Sequence, residues 1–144
     1  MKNSTKFTNA IHTMVMIYLG SQDSAIDMSS AGFAKSMDTN PAFIRQIMSP
    51  LKKAGLITSV PGHIRPALCR EPEKISLFEI YEALEEDKNI LRVGICPNPN
   101  CGIGINIQYA VGDIYDSINA KVMSELKKLT LMDVIKGFNG RLKK

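Results

Sequence analysis

Two sets of residues in this 144-residue chain have the types and spacing to do chemistry. The first is the pair Cys96 and Cys101, separated by Pro97-Asn98-Pro99-Asn100. Thiolates so spaced suit a zinc or iron ion, but two are half a tetrahedral site. Completion would need Cys69, His63, His12 or a second chain. The pair could instead answer oxidants, because neighbouring thiols pass through a sulfenic acid to a disulfide; plain packing is the third reading. The second set is Arg45-Gln46 on a helical pattern, with Ala42, Phe43 and Ser49 beside it. A guanidinium and a primary amide each bond a nucleobase edge in two places, guanine and adenine respectively. Such a pair is also at home in plain solvent, so its setting has to decide. For catalysis the sequence offers two histidines, no glycine-rich loop opening a helix, and no Ser/His/Asp grouping, which points away from an enzyme.

The elements around Arg45-Gln46 follow from local rules. Asn40 is a good N-cap and Pro41 suits the first helical position, where its missing N–H has no partner to lose. Ile44, Ile47, Met48 and Leu51 then form one buried stripe, leaving Ala42, Phe43, Arg45, Gln46 and Ser49 on the opposite face. Pro50 predicts a kink late in this helix. Thr39 and Asn40 stand where backbone N–H groups and the helix dipole favour a phosphate; Lys52 and Lys53 point to backbone or solvent. Upstream, Phe7, Ile11, Met14, Val15 and Tyr18 mark an amphipathic helix ended by Gly20, and Ser29 or Ser30 caps a short helix to about Met37. Downstream, residues 56–60 read as a strand, Pro61-Gly62 as a turn, and residues 64–69 as a returning edge strand limited by Pro66. His63 and Arg65 fall at its tip. Ser76-Leu77-Phe78-Glu79 is a capping box opening a helix to about Glu86. Two short helices followed by a hairpin give the winged helix-turn-helix plan.

The charge pattern agrees with a polyanion-facing surface. Residues 25–70 hold six basic and two acidic groups, whereas residues 71–95 hold three basic and seven acidic. The predicted DNA-facing set is Ser29, Thr39, Asn40, Pro41, Ala42, Phe43, Arg45, Gln46, Ser49, Lys52, His63 and Arg65. Two prolines, two asparagines and two glycines make residues 96–104 a loop. Ile107, Val111, Ile114, Ile118, Val122 and Leu126 then recur at steps of three and four, a long helical stripe that a second copy of the chain would cover. Thr130 to Asp133 opens a last short helix. The expected fold is mainly α with a small β-hairpin wing and a long C-terminal dimerisation helix. Its parts are residues 1–88 (winged helix), 89–104 (cysteine-bearing loop) and 105–144 (dimerisation helix and final short helix). No run reaches the about 18 apolar residues of a membrane span. The apolar run from Met14 to Leu19 lacks a small-residue cleavage site, and three cysteines fit a reducing compartment, so the expected location is the cytoplasm.

Thr5-Lys6-Phe7 with Ala10-Ile11 and Tyr18-Leu19, Asn40-Pro41-Ala42-Phe43-Ile44-Arg45, Leu51-Lys52-Lys53-Ala54-Gly55-Leu56-Ile57, and Ile75-Ser76-Leu77-Phe78-Glu79-Ile80-Tyr81 together resemble the Rrf2 (BadM-type) family of bacterial regulators. The resemblance covers nearly the whole chain. It implies a homodimer on a near-palindromic operator of double-stranded DNA, usually repressing. The recognition helix would lie in the major groove, the wing over a flanking minor groove, and the long helix at the dimer seam. Two departures matter. Many members carry a glycine-rich wing tip, where this chain has Pro61-Gly62-His63-Ile64-Arg65-Pro66. Cluster-binding members place three cysteines before the dimer helix, where this chain has Cys96 and Cys101 alone. The run Pro99-Asn100-Cys101-Gly102-Ile103-Gly104-Ile105-Asn106-Ile107 is similar to the cluster-free, YwnA-like branch, so no cofactor is expected and control falls to thiol oxidation or an unidentified effector. The alternatives are an iron–sulfur or metal-sensing regulator of the same family, or a winged helix that binds protein.

Overall fold

The first half of the chain buries its apolar residues around one helix. In the computed structural model, which describes residues 4–59, 65–84, 89–94, 98 and 100–142, that helix is α1 (Ser4–Gly20). The elements α2 (Ser30–Met37), α3 (Pro41–Lys53) and α4 (Leu77–Leu84), and the final helix α6 (Leu131–Leu142), all pack on it. Surrounded this way, α1 buries a wider arc than the predicted stripe. Ala10, Met14, Val15 and Ile17 are buried, while Phe7, Ile11 and Tyr18 flank them half-buried. The Phe7 ring stands edge-on to Tyr81, 5.4 Å between centroids.

The α2–α3 turn is built by its caps. Ser29 caps α2, and Asp38, in the left-handed conformation (φ 51°), ends it, letting the Thr39 N–H donate to the Ala34 carbonyl at 2.9 Å. Asn40 then caps α3 and Pro41 opens it, as the sequence predicts. Helix α3 runs on through Pro50 to Lys53 and is not ended by it. Gly55 (φ 73°) closes it, with the Leu56 N–H on the Leu51 carbonyl and the Gly55 N–H on the Lys52 carbonyl, both at 3.0 Å. That paired ending needs a left-handed residue, and glycine adopts it without strain.

The hairpin is short. Strands β1 (Ile57–Thr58) and β2 (Ala67–Leu68) pair antiparallel, Ile57 opposite Leu68 and Thr58 opposite Ala67. Pairing starts directly after Pro66, which has no N–H to donate. The predicted turn Pro61-Gly62 and His63 lie outside the described residues.

Beyond the hairpin a 3-10 turn (Pro72–Lys74) leads into α4. Its capping box forms as predicted: the Glu79 N–H donates to Ser76 Oγ (3.1 Å) and the Ser76 N–H to Glu79 Oε2 (2.9 Å). The same device opens α6, through Thr130 and Asp133. The two helix starts are stitched together, since the Leu77 N–H donates to the Leu129 carbonyl and the Leu131 N–H to the Ile75 carbonyl, each at 2.9 Å. This differs from the sequence-based division, which grouped the last helix with the long one. Leu131 and Ile135 are fully buried in the winged-helix core, so α6 belongs to the first half.

The long helix α5 (Gly102–Lys128) starts earlier than expected. Gly102 and Gly104 do not forbid helix there, because they sit in its first turn, where backbone N–H groups lack helical partners anyway. Asn119, buried on its inner face, accepts from the N–H groups of Ile90 (3.2 Å) and Leu91 (3.0 Å) and donates to the Leu91 carbonyl (2.9 Å). It straps residues 89–94 along α5, assisted by Gln108 on the Gly94 carbonyl.

Glu79 is also paired with Arg70 at 2.8 Å. Partial burial is the largest single influence and raises its pKa, but the Ser76 N–H, the Arg70 guanidinium and the Ser76 hydroxyl together outweigh it and hold the carboxyl below its ordinary value. A depressed folded pKa adds stability above the ordinary glutamate range, and that stability is lost as pH falls through the folded value. Urea denaturation across pH 3–7 checks this, with Glu79→Gln expected to flatten the acid limb relative to wild type.

Candidate nucleic-acid interface

The site is built on the half of α3 that the core leaves outside. Ile44, Ile47, Met48 and Leu51 are buried, and Ala42, Arg45, Gln46, Ser49, Lys52 and Lys53 are exposed in one band. Phe43 is a correction to the predicted face. It is half-buried and packs against the core, because four residues before Ile47 it shares the inner stripe.

At the N-terminus of α3 Asn40 Oδ1 accepts from the Phe43 N–H at 2.9 Å, and Pro41 has no N–H to offer. The Ala42 N–H, in the first turn, has no acceptor among the described residues. Thr39, half-buried, has its own N–H on Ala34. The start of α2 is held more tightly. Ser29 Oγ accepts from the Gly32 N–H (3.0 Å) and donates to Asp27 Oδ1 (2.6 Å), which also accepts the Ser29 N–H (2.9 Å). The Ser29 hydroxyl and then its N–H hold the Asp27 carboxyl below its ordinary pKa, with Arg65 and Lys35 adding attraction. Gly32 is required here by close approach, since a Cβ would lie 2.3 Å from the Asp27 carbonyl oxygen.

Arg65, predicted at the wing tip, is half-buried at the wing base. Its guanidinium donates to the carbonyls of Gly20 (3.3 Å) and Ile26. Sequence reasoning had no signal for this, because the acceptors are backbone groups 45 and 39 residues upstream.

The thiols and imidazoles are dispersed. Cys101 is the N-cap of α5, its Sγ accepting from the Gly104 N–H at 3.4 Å. Cys69 is exposed at the end of β2, its N–H on the Leu56 carbonyl. His12 bonds Ser36 at 2.9 Å, and burial holds its pKa below the ordinary value. Cys96 and His63 lie outside the described residues. Among the described residues no three His, Cys, Asp or Glu side chains gather as a metal site.

The outer face of α5 carries Ile107 (55% exposed), Ile114 (59%) and Ile118 (40%), with Val111 and Val122 half-buried. Leu126, predicted in the same stripe, packs on the chain's own core, because by that point the stripe has drifted round to the inner face. Ile103, 74% exposed and four residues before Ile107, extends the face at the other end. Its spacing from Ile107 is the signal for this, masked by the turn-forming residues of 96–104.

A helix-turn-helix with a polar outer face on its second helix, followed by a short hairpin, defines a winged-helix DNA-binding transcriptional regulator. The chain belongs to the Rrf2 family, whose model, described as an iron-dependent transcriptional regulator, matches residues 3–137. It is 33% identical to YwnA of Bacillus subtilis (strain 168), provisionally named an HTH-type transcriptional regulator, over 92% of this chain and 96% of that one. It is 29% identical to the HTH-type transcriptional regulator IscR of Cereibacter sphaeroides, covering 94% of this chain and 88% of the relative. The solved structure of CymR (YrzC), the global cysteine regulator of B. subtilis, superposes with a TM-score of 0.62 at 25% identity, covering 93% and 95%. Among the described residues no set of thiols gathers to hold an iron–sulfur cluster. The loop before α5 has two cysteines, Cys101 caps the helix, and Cys69 belongs to the hairpin.

Gly32→Ala is expected to destabilise the fold by about 1–3 kcal/mol, since the new methyl meets backbone oxygen and cannot be relieved by a rotamer. Chemical denaturation measures it, and a wild-type midpoint would contradict the packing at the α2 start.

Proposed function

We propose that two copies of the chain bind a near-palindromic operator and repress transcription from it. The observation that carries this reading is the division of α3 into a buried apolar stripe and an exposed band of Arg45, Gln46 and Ser49. In the major groove Arg45 takes a guanine edge and Gln46 an adenine edge, each worth about 1–3 kcal/mol of discrimination. The Ala42 N–H, with Thr39 and Asn40, receives a backbone phosphate, as does the first turn of α2 beyond the Ser29 cap; Lys52 adds a non-specific phosphate contact. The wing, carrying His63, lies over the flanking minor groove. The isoleucine face of α5 seats on its own copy, which supplies the apolar cover this chain lacks. Because its relatives are transcription regulators, the chain is read as a cytoplasmic non-enzyme.

The control point is Cys96 and Cys101. A hydroperoxide oxidises one thiol to a sulfenic acid and leaves as alcohol or water; the second thiol then displaces water to close the disulfide. Cys101 caps α5, so its sulfur cannot change partners without disturbing the start of the dimer helix.

Three measurements test this reading. In titrations against promoter DNA from upstream of its own gene, Arg45→Ala should weaken promoter binding tenfold or more beyond its effect on random DNA, by loss of roughly one base contact. Lys52→Ala should weaken both alike, and equal losses for Arg45→Ala would remove its assigned role. In sedimentation, Ile114→Glu with Ile118→Glu should convert a dimer to monomer; a monomeric wild type would sink the seam. Mild peroxide should change DNA affinity in wild type and leave Cys96→Ser and Cys101→Ser unaffected, whereas an unchanged response in both variants would discard the switch.

A further inference from the structure

We propose that Arg65 is a positioning residue, a clamp that locks the base of the wing to the α1–α2 loop, and that it does not itself contact DNA. Its two terminal nitrogens are engaged by carbonyls of the protein, Gly20 at the end of α1 and Ile26 in the loop. Both acceptors suit a cation. Gly20 is the last residue of a 17-residue helix whose own last turn has no basic side chain, so its carbonyl lies at the uncompensated negative end of the helix dipole. Ile26 directly precedes Asp27, whose carboxylate Arg65 also attracts. A planar guanidinium can fork to two carbonyls six positions apart, whereas an ammonium offers one nitrogen.

From the clamp a continuous chain of bonds reaches the start of α2. Arg65 holds the Ile26 carbonyl and attracts Asp27; Asp27 receives the Ser29 N–H and hydroxyl; Ser29 caps the Gly32 N–H. Wing base and α2 N-terminus, two of the three parts proposed to meet DNA, are thus fixed to each other through one side chain. The inference rests on the DNA-binding reading for its functional consequence, and on the hydrogen bonds alone for the clamp.

The experiment compares wild type with Arg65→Ala and Arg65→Lys on two promoter duplexes across a salt series, one full-length and one trimmed of the flanks under the wing. Both variants are expected to bind the full duplex on the order of tenfold more weakly, since a charged hydrogen-bond pair is lost. They should show the wild-type slope of log affinity on log salt, and lose less on the trimmed duplex, where only the α2 start is loosened, than on the full one. A merely structural defect would weaken both duplexes alike, and that result overturns the positioning role. A direct phosphate contact would lower the slope by about 0.9 per head in Arg65→Ala and be rescued in Arg65→Lys, and that result overturns the clamp, as does wild-type affinity in Arg65→Ala. Hydrogen–deuterium exchange without DNA reads the clamp separately: amides of residues 26–32 should exchange faster in both variants, and unchanged exchange refutes it. Failure of wild type to bind either duplex, with the exchange result intact, would count against the DNA reading and leave the clamp standing.

Discussion

One constraint governs the rest of the molecule: four apolar residues of α3 must all be buried at once. Ile44, Ile47, Met48 and Leu51 lie within one arc of the helix, and each is worth about 1.5–3 kcal/mol inside rather than out. Rolling the helix by a single residue, about 100°, would expose most of them. The outward display of Arg45, Gln46 and Ser49 is therefore a consequence of packing and needs no support of its own. The ends of the helix are fixed as firmly, by the Asn40 cap at one and the Gly55 turn at the other.

What could be read from the sequence divides by range. Asn40-Pro41, Ser76 to Glu79, Thr130 to Asp133 and Gly55 act within four or five residues, and each does in the structure what its local chemistry predicts. Two departures involve partners far away in the chain. Arg65 chooses carbonyls on α1 and its loop. Leu131 and Ile135 could have lined the dimer helix by pattern alone, but the reciprocal bonds between the two helix starts return them to the first core. The early start of α5 is a different case, a local rule applied too broadly: glycine disfavours a helix interior, and a first turn is not an interior.

The two halves meet through α5. Its inner face holds residues 89–94 by way of Asn119, and its N-terminus is capped by Cys101. Its outer face presents Ile103, Ile107, Ile114 and Ile118. On the proposed reading, a change at the thiol loop and a change in the seam are displacements of one rigid helix, and the strap transmits them to the winged-helix core. On the same reading, the signal is chemical change at sulfur carried by this architecture.

The claim that α3 reads DNA is tested most directly by amide chemical shifts. Labelled full-length protein would be titrated with duplex from the promoter upstream of its own gene. The account predicts the largest shifts at residues 39–49, a second group at 29–32, and little change at Ile107, Ile114 and Ile118 on the outer face of α5. Shifts concentrated on α4 and α6, with Arg45 and Gln46 unmoved, would contradict it.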